Sequence, residues 1–160
     1  MDIAHRSNFV NSFGSGFVVT GLGWIYKSPA YYAQQLYSRG AETYPLRVET
    51  SSTLAWQLWE PDLSAVLSPD GKTLRIYAVN STLDAIRTTI QLEDFQSPVS
   101  GGTVYTLEDR EHALTAEVMN SRDNPERISF RTQPAGVSGK EFDSTFPPLS
   151  LTLLELTMGK

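Results

Sequence analysis

Carboxylates, two histidines and a close pair of tryptophans are the side chains of this sequence with chemistry to offer. The acids gather as Glu93-Asp94, as Glu108-Asp109 with Glu111, and as Glu141 with Asp143. Hydrolysis of a glycosidic bond normally takes two carboxyl groups flanking that bond, one protonating the leaving oxygen and one acting as base or nucleophile. Each acidic group here falls at the end of an expected strand or in a turn, where neighbouring acids are ordinarily solvated, and no catalytic residue is assigned. His5 and His112 lack the H-E-x-x-H or any other ligand spacing, so they read as surface or packed histidines and no metal site is expected. No serine sits in a G-x-S-x-G elbow. Gly14-Ser15-Gly16 lacks the third glycine of a dinucleotide loop, because Val19 stands at that position. Cysteine is absent, which excludes disulfides, thiolate nucleophiles and cysteine-held zinc or iron–sulfur clusters. No cofactor is implied.

Trp56 and Trp59 fall in a stretch of strand character, where positions three apart point to opposite faces. Trp56 reads as core. For Trp59, stacking against a sugar ring and packing against a partner domain stand side by side, because an aromatic face suits the apolar face of a pyranose. Asn80-Ser81-Thr82 fits the N-glycosylation triplet, a pattern short enough to arise by chance.

The elements that must position these groups change character once along the chain. Up to residue 40, Gly14, Gly16, Gly21 and Gly23 punctuate an apolar stretch with Phe13, Phe17, Leu22 and Trp24. A helix then follows. Ser28 suits its N-cap, Pro29 its first position, Tyr32, Ala33, Leu36 and Tyr37 recur at helical spacing, Arg39 sits in the last turn, and Gly40 suits the residue just past the end. From about Leu46 the period becomes two: Leu46 with Val48, Leu54 with Trp56 and Leu58, Leu74 with Ile76 and Ala78, Ile86 through Leu92, and Ile128 with Phe130. Ser68-Pro69-Asp70-Gly71, Ser100-Gly101-Gly102 and Asn124-Pro125 read as turns between them. Alternation over eight or so short strands predicts an all-β fold of antiparallel strands, a sandwich or a barrel, with one N-terminal helix.

FPPLSLTLLEL, residues 146–156, predicts a final strand opened by prolines. Its apolar residues break alternation: Leu149, Leu151 and Leu153 share one face while Leu154 and Leu156 share the other. Either a bulge shifts the phase or both faces are covered, and a neighbouring domain would account for the second case.

Composition agrees with a globular domain. The 160 residues are 40% hydrophobic and 19% charged, with a net charge of −5 and scattered Lys and Arg, which argues against a nucleic-acid surface. No apolar run reaches the length of a membrane span, and the first residues (MDIAHRSNFV) lack the apolar core of a secretory signal. The compartment is not readable.

Five segments occur in a familiar order: NFVNSFG, YKSPAYYAQQLYSRG, LSAVLSPDGKTLRIYAVNS, MNSRDNPERISF and FPPLSLTLLEL. Each is short, but together, over nearly the whole chain, the sequence resembles the C-terminal region of α-L-arabinofuranosidases of glycoside hydrolase family fifty-one. The resemblance implies a parent enzyme with a catalytic (β/α)8 barrel followed by an antiparallel, jelly-roll-like β-sandwich, removing terminal α-L-arabinofuranosyl groups from arabinoxylan and arabinan with retention of configuration. It implies two catalytic glutamates on barrel strands upstream of everything present here, so this chain alone is expected to be inactive. It divides the chain into residues 1–40, the remnant of the end of the barrel with a crossing helix, and residues 41–160, the C-terminal sandwich. Asn8 falls near a position where family members carry a glutamine lining the sugar subsite, though the residue type differs. Asn8 and Trp59 are therefore the candidate carbohydrate contacts, and the catalytic barrel is the expected partner. The glycine-rich apolar stretch and the amphipathic helix are expected to face that barrel. Without it, the exposed surface would drive a homodimer or fold back onto the chain's own sandwich. The other readings are a stand-alone carbohydrate-binding module and a structural interaction domain.

Overall fold

The computed structural model describes residues 9–12, 16–41, 43–51, 61–113, 115 and 118–159. Within them the chain runs β1 (Val18–Gly21), β2 (Trp24–Lys27), α1 (Pro29–Ser38), β3 (Tyr44–Leu46), β4 (Asp62–Leu67), β5 (Thr73–Asn80), β6 (Ile86–Gln91), β7 (Val99–Asp109), β8 (Ile128–Pro134), β9 (Glu141–Phe146) and β10 (Ser150–Met158). A six-stranded sheet has the order β3-β4-β5-β10-β7-β8, and β6 pairs with β9 in a second sheet. All these pairings are antiparallel. The chain passes between the two sheets at β5–β6, β6–β7, β8–β9 and β9–β10, which makes the expected antiparallel sandwich.

Each face of the large sheet has its own apolar cluster. Leu74, Ile76 and Ala78 of β5 and Leu154, Leu156 and Met158 of β10 pack with Phe142 and Phe146 of β9. On the opposite face, Tyr77, Leu107, Leu151 and Leu153 pack with Tyr32 and Leu36 of α1. This resolves the mixed pattern of the last strand. The ladder of β10 runs in unbroken register from Ser150 to Thr157 against β5, so no bulge separates Leu153 from Leu154. Both faces are apolar because the helix covers one and the second sheet the other, and no neighbouring domain is needed to cover them. The prolines at 147 and 148 precede the strand, while β10 itself is central, between β5 and β7. The residue expected to begin its apolar face, Leu149, instead sits in the turn with φ 46°.

Local signals held in part. Ser68-Pro69-Asp70-Gly71 closes the β4–β5 hairpin: the Ser68 amide donates to Thr73 O at 2.9 Å, and Gly71 takes φ +70°, which an L side chain resists. Ser28 occupies the N-cap and Pro29 the first turn, but the Ser28 hydroxyl makes no capping bond. Arg39 is the C-cap and Gly40 the residue just past it, as expected, though Gly40 does not take a positive φ; a side chain there would meet the Tyr77 hydroxyl at 2.8 Å, so that glycine serves close packing. Ser100-Gly101-Gly102, expected as a turn, lies inside β7. Gly102 is required there by the close approach of β10, since a Cβ would strike the backbone of Glu155 and Leu156. Val48 lies beyond the end of β3 and is exposed. The strand expected around Leu54, Trp56 and Leu58 lies outside the described residues.

Candidate functional site

Glu93 and Asp94 are exposed, as expected, and the other acids divide into two kinds. At the end of β7, alternation sends Glu108 and Asp109 to opposite faces. Glu108 is 4% exposed and is ion-paired with Arg131, which stands beside it on β8. Asp109 accepts from Arg127 Nε at 3.0 Å and Nη2 at 3.2 Å, and from the amides of Glu111 and Ala113, each at 3.0 Å. The bonds from Arg127, helped by the two amides, hold the Asp109 carboxyl down at about 2 against the opposing effect of burial. Glu111 closes the group, 3.3 Å from Arg127 Nη2 and accepting from Asn124 Nδ2 at 2.8 Å.

The second kind is exposed but engaged. Asp143 on β9 accepts from Arg87 at 2.6 Å and Thr89 at 2.7 Å across the β6–β9 ladder, and these bonds lower its pKa. Glu141 accepts from Gln91 at 2.8 Å two pairs further along. A carboxylate with its lone pairs committed to fixed cations is poorly placed to exchange protons with a substrate. His112 is exposed, and no group of three or more His, Asp or Glu among the described residues is arranged to hold a metal ion.

One network went unread in the sequence. Glu155 of β10 accepts from Arg75 Nε at 2.7 Å and from Arg39 Nη1 at 3.1 Å, and Arg39 lies over the Tyr105 ring at 4.3 Å from its centroid. Beside it Tyr37 stacks on Tyr77 at 4.9 Å, and the Tyr77 hydroxyl donates to Leu36 O at 3.2 Å. Burial raises the pKa of both tyrosines, so they stay neutral donors. The available signal was Glu155 itself, one acid inside LTLLELT: a charge in a central strand calls for cations on the neighbouring elements. The arrangement ties the C-terminal end of α1 to the sheet.

A cavity of ≈ 240 Å3 opens where β7 ends and β10 begins, lined by Leu107, Leu151, Ile128 and Val118 with Asp109 and His112. Among the described residues no Phe, Tyr or Trp lines it, and both carboxylates that border it are engaged, Asp109 with Arg127 and two amides and Glu108 with Arg131. Its described lining therefore offers a sugar neither a Phe, Tyr or Trp face nor a free carboxylate.

The N-terminal part divides in two. The helix stripe does not await a barrel: Tyr32 and Leu36 are buried on this chain's own sheet, and Asn120 Nδ2 donates to Lys27 O at 2.9 Å, fixing the end of β2. The hairpin β1–β2 and the segment leading to it do show apolar surface. Phe9, Val10, Leu22 and Ile25 are exposed, although the segment is ordered by Phe17 N and Val18 N donating to Phe9 O. Asn8, Trp56, Trp59 and His5 lie outside the described residues, so the structure brings neither candidate sugar contact to a site.

Comparison with known proteins places this geometry. The description "Alpha-L-arabinofuranosidase C-terminal domain" matches residues 7–150. No curated protein matches the chain. Among solved structures, the arabinose-bound α-L-arabinofuranosidase MgGH51 aligns with a TM-score of 0.74 at 24% identity, covering 92% of this chain and 22% of its own. The enzyme from Thermotoga maritima in complex with arabinose aligns at 0.69 and 24%, covering 92% and 32%. That from Thermotoga petrophila aligns at 0.66 and 26%, covering 91% and 32%. The chain thus spans between a fifth and a third of the length of these enzymes. With the family match extending over most of its length and the sandwich in agreement, the chain belongs to the α-L-arabinofuranosidase C-terminal domain family.

Proposed function

We propose that this chain serves as the non-catalytic β-sandwich of an α-L-arabinofuranosidase, bracing a catalytic barrel that releases terminal α-L-arabinofuranosyl groups from arabinoxylan or arabinan. The family match over residues 7–150 carries the reading. The state of the carboxylates supports it: Glu108, Asp109, Glu141, Asp143 and Glu155 are each held by a structural partner. A retaining glycosidase instead needs two carboxyl groups about 5 Å apart facing an open subsite. In this reading residues 1–40 form the end of the barrel and the crossing from it, and the exposed Phe9, Val10, Leu22 and Ile25 are surface for the barrel to cover.

The direct test is hydrolysis of p-nitrophenyl α-L-arabinofuranoside by the pure chain. The expected rate is that of buffer alone, and turnover that copurifies with the chain would overturn the reading. Trp59 and Asn8 stay in the proposal as the residues bordering the substrate cleft. Affinity electrophoresis in arabinoxylan gels, comparing the chain with Trp59→Ala, distinguishes this from a stand-alone binding module. Retardation of the native chain that the substitution abolishes would favour the module; equal, unretarded migration fits the bracing role.

A further inference from the structure

Asn80 opens the triplet Asn80-Ser81-Thr82, the pattern on which N-glycosylation acts. It is also the last residue of β5, and only 1% of it is exposed. Its Nδ2 lies 2.8 Å from Asp84 O, 3.1 Å from Phe146 O and 2.8 Å from Pro147 O. An amide nitrogen has two hydrogens, so these three carbonyls consume both, one of them shared. Its Oδ1 accepts from the Thr82 amide at 2.9 Å and the Thr82 hydroxyl at 2.8 Å. The Leu149 amide donates to Thr82 O at 3.0 Å, binding the same two loops a second time. The side chain thus clamps the β5–β6 connection to the β9–β10 turn, next to the fully buried Phe146.

Glycan transfer joins Nδ2 to the anomeric carbon of a lipid-linked oligosaccharide. A C–N bond forms, the C–O bond to the lipid diphosphate breaks, Nδ2 loses a proton and the lipid diphosphate leaves. The product nitrogen keeps one hydrogen and carries a sugar ring in place of the other. In this fold that second position already holds a backbone carbonyl in contact. We infer that N-glycan transfer to Asn80 and the native sandwich exclude each other, so that modification here marks, and holds open, a chain that has not folded. The inference is independent of the enzyme family and concerns an acceptor site outside the proposed barrel contact.

A purified oligosaccharyltransferase with its lipid-linked donor tests this on the folded full chain, with a synthetic peptide of residues 75–87 as the unfolded acceptor. Intact-mass analysis should show the peptide glycosylated and the folded chain modified on the order of a hundredfold more slowly, because transfer must await local opening. Transfer to the folded chain at the peptide's rate, with its melting temperature unchanged, would overturn the inference. Exchange of the Asn80 side-chain amide protons, followed by NMR, provides an answer that does not depend on the enzyme. Strong protection relative to Asn side chains at the surface supports the clamp, and exchange as fast as theirs refutes it.

Discussion

Asp109 shows how one carboxylate ties three segments together. It receives a forked guanidinium from Arg127 and two amides from the turn that follows β7. Its pKa, near 2 in the folded chain, lies below the value of about 4 of an unfolded aspartate. A depressed folded pKa contributes stability that is complete above the unfolded value and lost as pH falls through the folded one. The stability difference between the native chain and Asp109→Asn, measured by urea unfolding, should therefore be full above about pH 4 and shrink toward pH 2. A difference that stays constant across that range would show that Asp109 contributes no linkage. The sequence revealed the cluster but not its division. Strand alternation separates Glu108 from Asp109 once β7 is known, yet their cations, Arg131 within β8 and Arg127 just before it, lie some twenty positions away, and nothing local announces that pairing.

At the scale of elements, α1 behaves as part of the sandwich. Leu36 is fully buried between Tyr77, Leu107, Leu151 and Leu153, and Arg39 anchors the far end to Glu155. Leu36→Ala should cost about 2–5 kcal/mol of unfolding free energy, as other large-to-small core changes do. A loss too small to measure in urea unfolding would mean that the helix is not part of the cooperative unit. The helix itself was readable, because Ser28-Pro29 and the stripe at 32 and 36 are local signals. Its destination was not, since the sheet face that receives it is assembled from β5, β7, β8 and β10. Gly101-Gly102 misled for the converse reason: two adjacent glycines ordinarily mark a turn, and only the nearness of β10 shows that Gly102 makes room within a strand.

At the scale of the molecule, the surface is uneven. The sandwich buries apolar residues on both faces of its main sheet, whereas Leu22 and Ile25 of the β1–β2 hairpin are exposed, as are Phe9 and Val10 ahead of it. Exposed apolar residues of this kind promote association. Sedimentation velocity should show the isolated chain associating as concentration rises, and Leu22→Asp with Ile25→Asp should shift it toward monomer without changing its melting temperature. A native chain that remains monomeric at every concentration would count against that surface as a contact.

The position of β10 bears also on the order in which the sandwich is made. β5 and β7 do not touch as neighbours in the sheet; the strand from Ser150 to Met158 joins them. During synthesis the ribosome delivers β3, β4 and β5 as one meander, and β7 with β8 as another, long before that joint exists. Until that strand is in place the chain can form no more than two half-sheets, each with an unpaired edge and an apolar face in water. A stop codon a few residues before Met158 should therefore be far more damaging than an equal loss from the β1–β2 hairpin.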